Sequence, residues 1–93
     1  MTKADIIREI AARTGVEKAS IAIFVEAFME TVKDSMIDGE NIYLRGFGSF
    51  ILKERAEKVA RNISKNTTVV IPAHRIPAFK PSKPFAAEVK NKK

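Results

Sequence analysis

The 93-residue sequence has no cysteine and no tryptophan, and it has one histidine and one tyrosine. Without cysteine the chain forms no disulfide and no thiolate zinc site, and the lone His74 cannot complete a metal cluster or a nucleophile–base pair. The longest apolar run, residues 21–25, is too short to cross a membrane, and the first residues lack the apolar segment of a secretory signal. No Walker loop or nucleotide-binding glycine pattern occurs. We therefore expect a cytoplasmic protein that is not an enzyme, with no catalytic residue, metal, cofactor, small-molecule substrate or membrane partner, and with His74 an exposed polar residue.

Charge is divided unevenly along the chain, whose formal net charge is +6. Residues 1–46 carry six basic and eight acidic side chains, whereas residues 47–93 carry eleven basic and three acidic ones. A solvated surface would mix the two signs, so the basic half indicates a polyanionic partner. Nucleic acid, an anionic membrane and an acidic protein all satisfy this requirement on charge alone.

The first forty residues predict two helices. Thr2 followed by Asp5 resembles a capping pair, apolar residues then recur at helical spacing, and Thr14-Gly15 ends the segment. A second helix is predicted over 18–38, with apolar side chains on more than one side. Because the first helix is too short to cover that surface, we infer a second subunit.

From residue 41 the apolar period changes from helical to alternating. Ile42 and Leu44 alternate with polar neighbours, and a turn at 46–48 leads to a second strand at 49–53. We interpret Phe47 and Phe50 as core packing rather than as platforms for base stacking. Residues 75–79 return as a strand, which Pro77 places at a sheet edge or at a strand end. Ser82 is then suited to cap a short last helix.

Residues 54–74 are expected to form a two-stranded ribbon that projects from the body. Neither face of an extended strand over 54–61 is apolar enough for a globular core, whereas 67–71 is strongly β-prone and turn residues lie between the two. Pro72 fits this ribbon because both of its strands are edges.

Basic side chains follow this ribbon and its base: Lys53, Arg55, Lys58, Arg61, Lys65, Arg75, Lys80 and Lys83. Charges spread along an extended strand match a line of phosphates better than they match a compact acidic patch. The basic half lacks an amphipathic helix for a membrane surface, and the ribbon lacks aromatic residues for stacking on single strands. Duplex DNA remains, with double-stranded RNA the weaker duplex candidate.

One apolar side chain, Ile63, lies at the predicted tip of the ribbon. It is either a scattered surface hydrophobe or a wedge that inserts between base pairs, a role for which minor-groove proteins use apolar side chains. The residues alone leave both interpretations open.

Several short motifs together resemble the signature of the HU/IHF family of bacterial histone-like DNA-bending proteins. They are Gly46-Phe47-Gly48-Ser49-Phe50, Lys53-Glu54-Arg55, Arg61-Asn62, Ile71-Pro72-Ala73 and Pro77-Ala78-Phe79-Lys80-Pro81 followed by Lys83. The likeness covers about residues 2–89. It implies an α+β fold: an intertwined dimer with an N-terminal helix pair, a three-stranded antiparallel sheet extended into a long β-ribbon arm, and a short C-terminal helix.

On this resemblance, residues 1–93 are a single DNA-binding domain. Its implied parts are the dimerisation helices at 1–40, a saddle sheet at 41–53 and 75–80, a DNA-binding arm at 54–74 and a C-terminal helix at 82–90. Arg55, Lys58 and Arg61 match basic arm positions of the family, and Lys80 and Lys83 match basic saddle positions. The predicted DNA-binding set adds Lys53, Asn62, Ile63, Lys65 and Arg75.

The chain departs from the family pattern at two positions. Ile63 stands where the family usually has a proline that wedges between base pairs, and Ser82 stands where glycine is usual. The short C-terminus is more similar to HU than to the longer IHF subunits, which favours weak sequence selectivity and a homodimer.

The expected function is therefore non-enzymatic, weakly sequence-selective binding and bending of double-stranded DNA through minor-groove arms, for nucleoid compaction. Two alternatives stay open. An RNA- or ribosome-associated protein would prefer structured RNA over bent or nicked DNA. An interaction protein whose ribbon adds a strand to a partner sheet would bind almost independently of salt.

Overall fold

The computed structural model describes residues 1–62 and 67–92, with Asn62 described in its backbone alone. Along these ranges the order of elements is α1 (Lys3–Thr14), α2 (Lys18–Ile37), β1 (Ile42–Leu44), β2 (Gly48–Arg55), β3 (Lys58–Asn62), β4 (Thr67–Ile71), β5 (His74–Pro81) and α3 (Lys83–Asn91). Two compact units contain them, Met1–Ser35 and Met36–Lys93. The predicted α+β class, with a helix pair first, an antiparallel sheet and a last short helix, is confirmed.

The helix α1 begins at the predicted capping pair. Thr2 Oγ1 accepts a hydrogen bond from the Asp5 N–H at 3.3 Å, and Asp5 Oδ2 accepts one from the Thr2 N–H at 2.9 Å. The hydrogen bond from the Thr2 backbone, and then the one from its side chain, lower the pKa of Asp5 below its ordinary value. Gly15 ends the helix at a φ of 76°, a left-handed conformation that glycine adopts without steric cost. Both predicted ends of this helix are confirmed.

The helix α2 has more apolar surface than its own chain covers. Ile21 is 3% exposed, whereas Phe24 is 66% and Phe28 is 47% exposed, and Ile23 and Met29 are exposed as well. The predicted excess of apolar surface on this helix is therefore confirmed. The second subunit that we inferred from it stays a prediction.

The second unit is built on a three-stranded antiparallel sheet in the order β1–β2–β5. Phe50 of β2 pairs with Phe79 of β5, and their ring centroids lie 5.1 Å apart. Phe47 lies 5.0 Å from Phe79 and 5.7 Å from Phe85 of α3 by the same measure. Phe47 and Phe50 thus pack against neighbouring rings as predicted, but Phe47 is still 46% exposed and lies at the edge of the cluster rather than in a buried core.

A tight turn joins β1 to β2 and contacts the start of α3. The Phe47 N–H donates to the Leu44 carbonyl at 3.0 Å, with Gly46 at a φ of 82° between them. Gly48 faces β5 so closely that a Cβ there would lie 2.5 Å from the Lys80 carbonyl oxygen. The Ser82 hydroxyl caps α3, as predicted, by accepting from the Phe85 N–H, and it donates to the Gly46 carbonyl. The turn and the helix start are thereby held together.

The predicted arm, residues 54–74, divides into two parts. Its first two and last residues extend the sheet, since Glu54 pairs with Arg75 and Arg55 with His74. Beyond a two-residue interruption in each strand, β3 and β4 form a separate antiparallel ribbon from Lys58↔Ile71 to Asn62↔Thr67. Pro72 lies in the interruption and has no N–H to contribute to a ladder. All described side chains of this ribbon are exposed except that of Ala60, which is half-buried.

Along the part of the chain in view, no helix is both long and apolar enough to cross a membrane.

Candidate nucleic-acid interface

The pairing register assigns the residues of the three-stranded sheet to two faces. Directly paired residues project to the same side, and successive residues of a strand alternate between sides. Phe50 and Phe79 thus lie on an inner face with the aromatic cluster. The opposite face, which we call the outer face, carries the following residues: Tyr43, Ser49, Ile51, Lys53, Arg55, His74, Ile76, Ala78 and Lys80.

Three of the predicted DNA-binding cations lie together on the outer face. Lys53 and Arg55 alternate along β2, and Lys80 of β5 pairs with Ser49 of the same strand. A fourth, Lys83, is the first residue of α3. It lines one cleft of about 610 Å³ together with Lys80 and with Arg45, a residue of the β1–β2 turn. The sheet and the start of α3 thereby produce one basic surface.

Among the described residues these cations have no carboxylate partner, whereas four of the five lysines and arginines of the unit Met1–Ser35 are ion-paired. The ion pairs Lys3–Glu26, Arg8–Asp5, Arg13–Glu9 and Lys33–Glu30 all lie in α1 and α2. Among the described residues, none of Lys53, Arg55, Lys80 and Lys83 has an acidic group within ion-pair distance. The positive charge of the outer face is therefore available to an external anion.

The ribbon carries its two described cations on opposite faces. Lys58 pairs with Ile71 and shares its side with Ala60, whereas Arg61 pairs with Thr68 and shares its side with Val59. Apolar side chains of β4 lie on each of these two faces. A strand lying in a groove would thus present a cation to each wall.

Not every predicted site residue joins this surface. Arg75 pairs with Glu54 and lies on the inner side of the sheet, where its guanidinium Nη1 would be 3.3 Å from a Cβ at Gly39. Ile63 and Lys65 lie outside the described residues, as does the side chain of Asn62. Their predicted contacts with DNA stay predictions.

His74 is exposed, as we predicted, and lies on the outer face opposite Arg55. Its Nδ1 is 2.9 Å from the Pro72 carbonyl oxygen. A carbonyl oxygen can only accept, so Nδ1 donates in this contact and the Nε2 atom is the one left to an outside partner.

The structure adds Arg45, Tyr43 and Ser49 to the surface, none of which is among the predicted site residues. The alternation of Ile42 and Leu44 with Tyr43 and Arg45 was visible in the sequence and placed the latter pair opposite the core. What the sequence did not supply was the register that sets Tyr43 beside Ser49 and Lys80.

A sheet with one basic face and an exposed two-stranded ribbon beyond it is the arrangement of a nucleic-acid-binding protein. The family described as "Bacterial DNA-binding protein" matches residues 1–90. The chain belongs to this family, the HU/IHF family, whose members are architectural DNA-binding proteins and not enzymes. The resemblance and the non-enzymatic, DNA-binding function expected from the sequence are thereby confirmed.

Similarity to individual relatives extends over nearly the whole chain. The SPbeta prophage-derived DNA-binding protein HU 2 of Bacillus subtilis (strain 168) is 37% identical over 92 residues, 99% of this chain and 100% of the relative. Integration host factor subunit alpha of Anaeromyxobacter sp. (strain Fw109-5) is 39% identical over 82 residues, 88% of this chain and 83% of that one. Among solved structures, an Anabaena HU–DNA cocrystal structure is similar with a TM-score of 0.91 and 33% identity, covering 99% of this chain and 100% of that one.

Proposed function

We propose that this protein is a homodimeric, weakly sequence-selective architectural protein that bends duplex DNA by placing its ribbon arms in the minor groove. The observation that carries the proposal is the basic outer face, whose lysines and arginine have no carboxylate partners among the described residues. Such a surface recognises the phosphate backbone, which is the same for every sequence.

The homodimer is supported by the exposed apolar side chains of α2. Phe24, Phe28, Ile23 and Met29 are four large apolar groups that the chain itself leaves in contact with water. Burying an aromatic side chain is favourable by about 2–3 kcal/mol, so a second copy that covers this helix would be strongly stabilised. Two copies would also supply two arms, which a protein that encloses a duplex requires.

Bending is supported by the position of the ribbon beyond the basic face. The strand β3 has five residues, which span about 16 Å at roughly 3.3 Å per residue. A ribbon of this length reaches from the phosphates on one side of a minor groove around the edge of the duplex. Ile63, which follows β3 directly, is then the residue we assign to insertion between base pairs, and contacts of the outer face would hold the bent flanks.

We further propose that the protein acts at the nucleoid, where it compacts DNA.

The test is a binding competition among linear, nicked and pre-bent duplexes and a structured RNA, repeated across a salt series. The four cations of the basic surface that have no carboxylate partner among the described residues give roughly eight phosphate contacts in a dimer, so log K for duplex DNA should fall against log salt with a slope near −7. Nicked and pre-bent duplexes should compete best, because a nick lowers the stiffness of the duplex and a pre-bent duplex already has part of the required bend.

The two alternatives make opposite predictions in the same experiment. Preference for the structured RNA would contradict DNA as the partner, and a nearly flat salt dependence would contradict recognition through phosphates. Neither alternative is favoured by a specific feature of the sheet or of the ribbon, and the relatives give the RNA alternative no support.

A further inference from the structure

Tyr43 is an uncharged aromatic residue on the outer face, and phosphate binding by the cations of that face gives it no role. It is the only tyrosine of the chain, and its side chain is 72% exposed. It pairs with Ser49, which in turn pairs with Lys80, so these three residues form one row across the outer face. A tyrosine normally covers its ring with neighbouring groups, and here the ring remains open to a ligand.

Two hydrogen bonds fix the polarity of the Tyr43 hydroxyl. The Leu52 backbone N–H donates to Asn41 Oδ1 at 3.0 Å. Because a backbone N–H can only donate, this bond identifies the amide oxygen and leaves Asn41 Nδ2 as the donor to Tyr43 Oη at 3.2 Å. The hydroxyl oxygen therefore accepts from Asn41, and its own proton is left to donate. Among the described residues the structure gives that proton no acceptor.

The surroundings of Tyr43 select an anionic acceptor. The cleft that it lines is bordered by Arg45, Lys80 and Lys83, and no carboxylate takes part in the lining. A donor hydroxyl and an open aromatic face beside three cations match one repeating chemical unit, a phosphate attached to a sugar ring.

We propose that Tyr43 binds the sugar–phosphate backbone of duplex DNA where the duplex crosses the outer face. The hydroxyl donates to a phosphate oxygen, and the ring lies against the adjacent deoxyribose. This inference rests on the proposed function and adds to it a neutral interaction beside the cationic ones. Because Tyr43 carries no charge, its hydrogen bond releases no counterion, and it strengthens binding without steepening the salt dependence.

That difference from a lysine gives a direct test with matched variants. Tyr43→Phe removes only the hydroxyl, and we expect each hydroxyl removed from the interface to weaken binding to a linear duplex about fivefold, with an unchanged slope of log K against log salt. Lys80→Ala should weaken binding and also reduce the slope by about 1 for each phosphate that the lysine neutralises. Thermal unfolding of both variants checks that the fold is retained.

A second readout observes Tyr43 itself. Protein labelled with ¹³C in its tyrosine ring gives the resonances of this one residue, because the chain has no other tyrosine. We expect these resonances to shift on saturation with duplex DNA. If Tyr43→Phe binds as tightly as the wild type, or if the ring resonances do not move, the inference is wrong. If the wild type itself shows no steep salt-dependent binding of duplex DNA, it is instead the proposed function that fails.

Discussion

Gly48 sets how closely β2 approaches β5. Replacing it with alanine should push the β5 backbone, which carries Lys80, away from β2. A Cβ at this position would lie 2.5 Å from the Lys80 carbonyl oxygen and 2.6 Å from Cζ of Phe79. Ordinary contact begins near 3.4 Å, so the β5 backbone and the Phe79 ring must each retreat by about 0.8–0.9 Å. Neither is the end of a flexible side chain, and the ring belongs to the aromatic cluster. Overpacking of this kind costs about 1–3 kcal/mol.

The measurement is thermal unfolding at one fixed protein concentration, since the melting temperature of an oligomer depends on concentration. At about 4–8 °C per kcal/mol for a chain of this size, a cost of about 2 kcal/mol lowers Tm by roughly 8–16 °C. Affinity for duplex DNA should also fall, because the displaced backbone carries Lys80.

The matched control is Gly46→Ala, two residues earlier in the same turn. Gly46 has a φ of 82°, and a Cβ there would have nothing within 4 Å. Alanine at this position adds conformational strain of about 1–2 kcal/mol without displacing a neighbour, so DNA affinity should be retained below the melting temperature. If Gly48→Ala binds DNA as well as Gly46→Ala does, the close approach of the two strands does not position the basic face.

Three further predictions concern the helices and the arm. Because hydrogen bonds from Thr2 lower the pKa of Asp5 in the folded chain, their contribution to stability is present above the ordinary value of 3.8 and is lost as pH falls through the lowered one. Urea unfolding should therefore show Asp5→Asn less stable than the wild type at neutral pH, with the gap closing in acid; a gap independent of pH would contradict this. Phe24→Lys should shift sedimentation towards monomer, and an unchanged distribution would argue against α2 as the dimer surface. Ile63→Ala should reduce DNA bending, measured by energy transfer between duplex ends, more than it reduces affinity, and equal bending would exclude the wedge.

Local patterns predicted most of the fold because the relevant signals lie within a few residues. The Thr2–Asp5 capping pair, the Gly15 end of α1 and the Ser82 cap of α3 are each set by hydrogen bonds between neighbours in sequence. The excess apolar surface of α2 was also readable, because helical spacing alone places Phe24 and Phe28.

The composition of the outer face was harder to predict, because it depends on register. Arg75 carries the same charge as the other predicted contact residues, yet pairing with Glu54 places it on the inner side of the sheet. Tyr43 and Lys80 lie in one row because each pairs with Ser49 of β2. The two residues are too far apart in sequence for a periodic pattern to relate them. A shift of the register by one residue would have exchanged both assignments.

The β2–β5 ladder and the β3–β4 ladder keep the same register across the interruption that separates them. Arg55 pairs with His74 and Lys58 pairs with Ile71, so three residues advance on each strand and none is inserted on either side. An insertion of equal length in both strands would therefore lengthen the ribbon without creating a bulge. Since side chains alternate with a period of two, an insertion of two residues in each strand would also leave every residue beyond it on its present face. Each such pair of insertions would extend the ribbon by about 7 Å.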